Sequence, residues 1–285
     1  MNKLSAIFML LAGALLTQNA YPQTRNYKEN EDILRQIKEY NQAEKSLEEA
    51  APGEESEKED NEKDKKKKAE NPGADSALLK TGLSLFNSGS YDGAAKNLNE
   101  LVSAYPQSPY ADTARIWLGK IHVKKYEYAK AIQELSAIPE TSGEYPAARF
   151  DTAFCLKSMG DTLAAISGYQ TIATRFPNHE LADKALLRSG ILFAEIGKGS
   201  EAASAFFIIT SRYSDRETVD DALFYLAAIF EKDPELRDIE RARDIYKLFL
   251  KKSAEGEPHF KDSPLKEKAA RELKRIEEIY FKIKQ

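Results

Sequence analysis

The stretch GLSLFNSGSYDGAAKNLNEL, residues 82–101, contains the pattern that decides the fold. A small residue, Gly82, is followed twelve positions later by a second one, Ala94. Similar pairs of small residues return along the chain at intervals of 34 or 37 residues. Recurrence at about 34 residues is typical of helix–turn–helix repeats that stack into a solenoid, and we expect the small residues to let paired helices approach closely. The first small residues are Gly82, Gly119, Ala153, Gly190 and Ala227, and the second are Ala94, Ala131, Ala165, Ala202 and Ala242.

Large apolar residues follow the second small residue at helical spacing. Leu98 lies four positions after Ala94, and Leu101 lies three further on, so the three share one face of an amphipathic helix. Gly89 lies where the first helix should end, and a proline that cannot continue a helix closes the unit. The sequence therefore predicts five pairs of helices. The equivalent glycines are Gly160 and Gly197, and the closing prolines are Pro106, Pro139 and Pro177.

The joints between units carry a family resemblance. The strings YPQSPYADTA (residues 105–114) and FPNHELADKA (residues 176–185) resemble the joints of bacterial envelope tetratricopeptide repeat (TPR) proteins. The small residues occupy what would be the eighth and twentieth TPR positions. Within that class the joints look like those of BamD-like outer-membrane-assembly lipoproteins and YbgF-like proteins associated with the Tol-Pal system. The resemblance implies an all-α, TPR-type α-solenoid of about five helix pairs over residues 76–253, with a capping helix in residues 254–285.

The first twenty residues have the pattern of an export signal. Lys3 precedes an eleven-residue apolar run from Ala6 to Leu16, which is too short to span a bilayer. No cysteine lies near the end of that run, so we expect no lipid anchor of the BamD kind. We expect export to the periplasm, with a peripheral position at the outer membrane left open. The single cysteine, Cys155, lies in an apolar stretch and is expected to be a buried hydrophobic residue.

Two segments separate the signal from the repeats. Residues 21–49 contain a short amphipathic stretch, which is either an oligomerising coiled coil of the YbgF kind or an isolated helix. Residues 50–75 form a charged segment without large apolar residues, and such a composition predicts a disordered linker. At the other end, the amphipathic helix expected in residues 254–285 is either a polar-backed cap or a membrane-surface helix.

Composition and motifs favour a non-catalytic protein. The net charge of −4 does not favour nucleic-acid binding. The three histidines lie far apart, and no phosphate-binding loop or nucleophile motif is found, so we expect no catalytic residues, cofactor or metal. Four aspartates recur two positions before an alanine early in the first helices, where their charge would complement the helix dipole. They are Asp75, Asp112, Asp183 and Asp220.

Apolar first-helix positions supply the candidate partner-binding residues. In TPR proteins the first helices line a groove, and here the equivalent positions are mainly apolar, which suits a partner helix or hairpin. The alternative is that they pack the solenoid core. We therefore expect a periplasmic scaffold or adaptor that binds an envelope protein in outer-membrane protein assembly; the alternative is a YbgF-like homo-oligomer formed through residues 31–49. The candidates are Ile116, Phe150, Phe154, Leu187, Ile191 and Phe224.

Overall fold

The computed structural model describes residues 73–281, and within that range the chain is all-α. Successive helices form antiparallel pairs, so the predicted fold class, with five pairs and a further C-terminal helix, is confirmed. The helices are α1 (Ala74–Asn87), α2 (Tyr91–Ala104), α3 (Ala111–Lys124), α4 (Tyr128–Ser136), α5 (Tyr145–Ser158), α6 (Thr162–Arg175), α7 (Ala182–Glu195), α8 (Gly199–Arg212), α9 (Val219–Lys232), α10 (Ile239–Ala254) and α11 (Lys266–Ile276), followed by a π-helical turn (Glu277–Phe281).

Some predicted segments lie outside the described residues. These are the signal peptide 1–20, the amphipathic segment 21–49 and residues 50–72 of the predicted linker. At the junction with the repeats, helix α1 begins at Ala74, two residues before the predicted start of the repeat region.

The described residues form two compact units, residues 73–148 and residues 149–281, whose boundary lies within α5. In the first unit α1, α2 and α3 enclose a core that contains Leu79, Leu98 and Trp117. The ring of Phe86 packs edge-on against Trp117 with a centroid distance of 4.9 Å. Packing of this kind buries one face of each helix. The spacing of Ala94, Leu98 and Leu101, at four and then three positions, places apolar residues on such a face.

The second unit, residues 149–281, repeats this construction with larger aromatic side chains. Phe206, Tyr246 and Phe249 are fully buried, and each stands at a predicted core position of its second helix. Phe249 packs edge-on against Phe260, which lies between α10 and α11, at 5.3 Å. The core of this unit therefore continues past the last pair towards α11.

The small residues lie at tight contacts between paired helices, as the sequence predicts. A Cβ atom on Gly82 would lie 2.8 Å from Leu98, and one on Gly190 would lie 2.7 Å from the ring of Phe206. The glycine therefore lies nearest to the large residue four positions beyond the second alanine, and at Gly82 the added Cβ would also lie 3.6 Å from the Ala94 carbonyl oxygen. In the third pair the close approach is made by Gly168, whose Cβ would lie 2.9 Å from Ala153. The small residues therefore allow the close approach that the sequence predicts, and in the pairs with Gly82 and Gly190 the side chain that they accommodate is a large one.

The turn inside each of the first four pairs contains a residue with a left-handed backbone. Gly89, Gly160 and Gly197 have φ angles of 78°, 91° and 76°, as expected for glycines that end a helix. The second pair has Tyr126 at the same place, with φ 59°, and its side chain is 79% exposed. In this conformation the Cβ atom lies too close to the carbonyl oxygen that follows it, so the backbone at Tyr126 is strained.

We expect Tyr126→Gly to stabilise the chain. Relief of a left-handed penalty of about 1–2 kcal/mol outweighs the extra chain entropy of glycine, about 0.5–1 kcal/mol. A net gain near 0.5–1 kcal/mol corresponds to a rise of roughly 1–4 °C in melting temperature. Thermal unfolding followed by circular dichroism measures this. Tyr126→Ala is the control, because alanine keeps the penalty; equal melting temperatures for the two variants would contradict the assignment of strain.

The recurrent aspartates do more than complement a helix dipole. The Ser108 hydroxyl donates to the Asp75 carboxylate at 2.6 Å, and the Thr218 hydroxyl donates to Asp183 at 2.8 Å. Each bond joins the first helix of one pair to the joint that opens the next pair. Ser108 also accepts the Tyr110 backbone N–H at 3.1 Å, so the serine of the joint organises its own turn. The dipole interpretation was therefore incomplete for two of the four aspartates, since the Asp75 and Asp183 carboxylates also connect successive pairs.

Helix α11 packs on α10 and is tied to α9 by charge. Glu231 of α9 is buried and forms an ion pair with Arg275 of α11. The Lys268 ammonium lies 5.0 Å from the centroid of the Phe224 ring, a cation–π contact. Burial of Lys268 lowers its pKa, and the nearby charge of Lys232 lowers it further. Helix α11 therefore covers side chains of the last pair, in the place that the sequence assigns to a cap.

Candidate partner-binding surface

The structure divides the six candidate residues into two groups. Four are buried between packed helices. For these four, the structure agrees with the alternative that the positions form part of the solenoid core. Two remain half-buried and are the ones whose side chains reach solvent. The buried residues are Ile116, Leu187, Ile191 and Phe224, and the half-buried residues are Phe150 and Phe154. Partner binding by these residues stays a prediction.

Phe150 and Phe154 lie one turn apart on the same face of α5. The Phe150 ring packs edge-on against the buried Tyr169 of α6 with a centroid distance of 5.0 Å. This contact fixes one edge of the aromatic pair while both side chains keep part of their area in solvent. Rigid, partly exposed aromatic side chains are typical anchors of protein interfaces.

An ion pair joins α5 to α7 beside these phenylalanines. The Lys157 ammonium lies 2.6 Å from Glu195 Oε2, and Lys157 follows Phe154 by one turn of α5. The other carboxylate oxygen, Glu195 Oε1, is buried and has no hydrogen-bond partner in the described part of the chain.

Arg188 lies on α7, two turns before Glu195. Its side chain is half-buried, and within residues 73–281 it makes no hydrogen bond or ion pair. It acts electrostatically on three residues of the neighbouring helices, because its charge lowers the pKa values of Tyr169, Asp221 and Tyr225 against the effect of burial. The charge of Arg188 therefore acts on side chains of α6 and α9, and the residue has no direct charged partner within residues 73–281.

Burial is the main cause of the raised pKa values of Asp221 and Tyr225. Burial raises the pKa of Asp221 from its ordinary 3.8 to about 7, and the neighbouring Asp220 charge raises it further in spite of Arg188. Burial, with a contribution from Asp221, likewise raises the pKa of Tyr225 to about 12. Tyr225 therefore keeps its hydroxyl proton at neutral pH, and Asp221 is divided between its neutral and charged forms.

The pKa of Asp221 predicts a pH dependence of stability. The folded chain holds this proton more tightly than the unfolded chain, so the unfolded state ionises first as pH rises above about 4. Stability is therefore expected to fall between about pH 4 and pH 7 and to level off above pH 7. Asp221→Asn should remove this decline, which urea unfolding at several pH values measures. The exposed Asp262→Asn is the control; a decline equal in wild type and Asp221→Asn would contradict the assignment.

Cys155 is fully buried in α5, as the sequence predicted. Burial, together with the charge of Asp151, raises the pKa of its thiol to about 12. The thiolate is the reactive form of cysteine, so this thiol is chemically inert at neutral pH.

Metal-binding clusters and membrane-spanning helices are both absent from the described residues. Residues 73–281 hold no group of three or more histidine, cysteine or acidic side chains placed to bind a metal ion. No helix in that range combines the length and apolar character needed to cross a bilayer.

Sequence reasoning missed the polar members of this surface. A charged residue, Arg188, directly follows Leu187 on a helix that is otherwise apolar over most of its length, and the adjacent pair Asp220 and Asp221 opens α9. Charges on the buried side of an amphipathic helix are the signal that could have found them. Their proximity could not be deduced, because it depends on packing between α7 and α9. We call the set Phe150, Phe154, Arg188, Glu195, Asp221 and Tyr225 the Arg188 surface.

The fold agrees with one solved structure, that of MamA protein, and two further solved structures are similar to parts of the chain. The crystal structure of MamA protein is 19% identical, with a TM-score of 0.51 over 66% of this chain and 98% of MamA. A thermophilic TPR protein from Thermus thermophilus is 15% identical, with a TM-score of 0.42 over 71% of this chain and 98% of that one. A tetratricopeptide repeat protein from Parabacteroides merdae is 16% identical, with a TM-score of 0.43 over 73% and 94% of the two chains.

Sequence comparison identifies the family. No curated protein sequence matches the chain. A family model described as tetratricopeptide repeat protein 21 ARM repeat matches residues 30–172, which is half of the chain. The match includes the first two helix pairs and extends to residues before α1. The helices that follow the matched range continue the same paired arrangement, and the chain belongs to the tetratricopeptide repeat protein 21 ARM repeat family.

Proposed function

We propose that this chain is a non-catalytic scaffold of the bacterial periplasm that binds another envelope protein, with outer-membrane protein assembly as its process. TPR-type helix pairs are protein-binding elements, and that general role follows from the fold. The observation that carries the proposal is the Arg188 surface, where half-buried phenylalanines lie beside charged side chains, one of which, Arg188, has no ion pair or hydrogen bond in the described part of the chain. Such a mixture of aromatic anchors and polar groups suits recognition of another polypeptide.

The periplasmic part of the proposal rests on residues 1–20. Their charged start, short apolar run and polar exit fit an export signal. Fusion of the full chain to alkaline phosphatase, which needs an oxidising compartment to fold, tests export in a Gram-negative host. Phosphatase activity that depends on residues 1–20 is expected. Activity only in cells with an oxidising cytoplasm would contradict export.

Partner binding is tested by crosslinking in living cells. A photoreactive phenylalanine analogue at Phe154 should give a discrete adduct with an envelope protein, because that side chain is half-exposed on the Arg188 surface. The same analogue at the exposed Ser204 of α8 is the matched control. Adducts of equal yield at both positions would contradict a defined site.

The second candidate function is a YbgF-like oligomer associated with Tol-Pal and formed through residues 31–49. The amphipathic spacing of Ile33, Ile37 and Tyr40 favours it. Light scattering of the full chain and of a chain lacking residues 31–49 separates the two functions. A scaffold that acts as a monomer has the same association state in both, whereas the oligomer dissociates on deletion.

A further inference from the structure

Two large apolar side chains lie exposed next to each other on the outer face of helix α8. Phe207 is 58% exposed and Ile208 is 40% exposed. Phe207 lies five positions after the second small residue of its pair, and the residue at this position is polar and exposed in each of the other four pairs. These equivalents are Asn99, Ser136, Gln170 and Lys247. Adjacent exposed apolar residues at a position that is otherwise polar indicate a contact surface.

The rest of this face is polar but uncharged. No charged residue occurs between residues 202 and 211, and the exposed serines Ser204 and Ser211 lie on the same side of the helix as Phe207. The Ser204 hydroxyl donates to the Ser200 carbonyl oxygen at 2.9 Å, and the Ser211 hydroxyl donates to the Phe207 carbonyl oxygen at 2.8 Å. Both hydroxyl donors are therefore satisfied within the helix, and covering them leaves neither unpaired.

The neighbouring helix α6 extends the uncharged surface. The Tyr213 hydroxyl donates to the Pro177 carbonyl oxygen at 2.6 Å, so the C-terminal ends of α8 and α6 lie beside each other. The charged residues of these two helices are Arg175, Glu201 and Arg212. Anionic lipid surfaces attract clusters of basic residues, and these two helices carry no such cluster. The surface therefore fits a partner with an apolar, largely uncharged face.

Opposite charges flank the apolar centre of α8. Glu201 lies before it and Arg212 after it, both are exposed, and both share the side of the helix that carries Ile208. In an antiparallel pair of α8 helices centred between Phe207 and Ile208, Glu201 of one copy and Arg212 of the other lie about 3 Å apart along the axis, from a rise of 1.5 Å per residue. A parallel pair would place like charges together. The face of α8 is therefore complementary in charge to its own antiparallel copy.

We propose that the outer face of α8 binds α8 of a second copy of this chain, in an antiparallel and two-fold symmetric dimer. In this arrangement the two Phe207 rings meet each other, the two Ile208 side chains meet each other, and Ser204 lies opposite Ser211 of the partner subunit. The small serine side chains let the two helices approach closely. Each contact occurs twice, as two-fold symmetry requires. This goes beyond the proposed function, because the occupant is this chain and not an envelope protein.

The dimer is expected to be weak. A contact made mainly through one helix of each copy is smaller than the roughly 1,200–2,000 Å² of a standard stable interface. We therefore expect a Kd of about 0.1 mM, which sedimentation velocity of the full chain between about 0.02 and 1 mM measures. A chain that remains monomeric at about 1 mM overturns the proposal.

The first variant tests the apolar centre. Phe207→Asp should weaken dimerisation at least tenfold, because it replaces a central aromatic contact with two facing carboxylates. Asn99→Asp is the matched control, since it introduces the same charge at the equivalent exposed position of α2. Thermal unfolding verifies that both variants remain folded. Equal dimerisation of wild type and Phe207→Asp contradicts the assignment of the surface.

Charge reversal tests the antiparallel pairing. Glu201→Arg should weaken dimerisation about fivefold, because it brings arginines of the two copies together. Its loss of the exposed ion pair with Lys198 has little effect on stability. Adding Arg212→Glu to the same chain restores opposite charges at both contacts and should return the Kd to within about twofold of wild type. A double variant no stronger than Glu201→Arg overturns the antiparallel arrangement.

Cysteine crosslinking tests the same arrangement without charge changes. Mild oxidation of a mixture of Ser204→Cys and Ser211→Cys chains should join one copy of each, because these positions face each other. Either variant alone should crosslink poorly, since the two identical positions lie about 10 Å apart along the axis. The native Cys155 is fully buried and does not compete. Equal yields from the mixture and from the single variants contradict this pairing.

The dimer can be distinguished from the other interactions of the chain. Deletion of residues 31–49 should leave its Kd unchanged, whereas loss of the dimer on that deletion assigns the association to those residues and overturns the role of α8. A photoreactive analogue at Ser204 should give an adduct of two copies of this chain, and its mass separates it from an envelope-protein adduct formed at Phe154.

Discussion

Gly190→Leu is expected to lower the free energy of unfolding by about 3 kcal/mol or more, because overpacking of a tight contact costs about 1–3 kcal/mol even for small insertions. A Cβ atom at this position already lies 2.7 Å from the Phe206 ring, which is fully buried and cannot move into solvent. Urea unfolding followed by circular dichroism gives the difference.

A matched glycine provides the control. A Cβ at Gly143, between α4 and α5, meets no atom within 4 Å, and its backbone is not left-handed, so Gly143→Leu should change stability by less than about 0.5 kcal/mol. Phe206→Leu should also reduce the cost of Gly190→Ala in a double-mutant cycle, because the smaller side chain withdraws from the clash. Additive effects in that cycle would show that the glycine and the ring do not limit each other.

Arg275→Ala is expected to destabilise the chain by about 1–3 kcal/mol, because it leaves the buried Glu231 carboxylate without its half-exposed ion-pair partner. Glu231 is buried, and after the substitution its remaining described hydrogen-bond partner is the Tyr246 hydroxyl at 3.3 Å. Chemical unfolding at neutral pH measures the loss.

Two further variants distinguish the ion pair from a general effect of charge. Arg271→Ala removes an exposed arginine one turn earlier on α11 and should change stability by less than about 0.5 kcal/mol. Glu231→Gln in the Arg275→Ala background should restore part of the stability, because it removes the stranded charge. A double variant as unstable as Arg275→Ala alone would show that packing of the arginine side chain, rather than its charge, stabilises α11.

The sequence was sufficient for the fold because the repeat signal is local and is repeated five times. Ala94 and Leu98 share one helix, so their burial follows from periodicity alone. The contact between Gly190 and Phe206 was not predicted, because it depends on the relative position of α7 and α8 along their axes. Likewise, nothing in the local sequence around Tyr126 indicates a left-handed backbone. Only comparison with the glycines at the same position in the other pairs indicates it.

The candidate surface was only partly predictable from sequence. Spacing placed Phe150 and Phe224 at equivalent positions, yet one is half-buried and the other is buried beneath Lys268 of α11. The difference arises because α11 packs beside the last pair, and an apolar periodicity does not distinguish a covered helix face from an open one. Arg188 was missed for a related reason: its lack of a partner is a property of three-dimensional distances, which a linear pattern does not contain.

The bonds between neighbouring pairs have a consequence for the speed of folding. The partners in these contacts are close in sequence: 33 residues separate Asp75 from Ser108, and 35 separate Asp183 from Thr218. Chains whose contacts are local have low contact order and fold rapidly, because no long loop must close before contacts form. A segment of about one repeat therefore suffices to complete these two junctions. If the chain leaves the cytoplasm unfolded, each pair can acquire its native structure as soon as its neighbour has emerged.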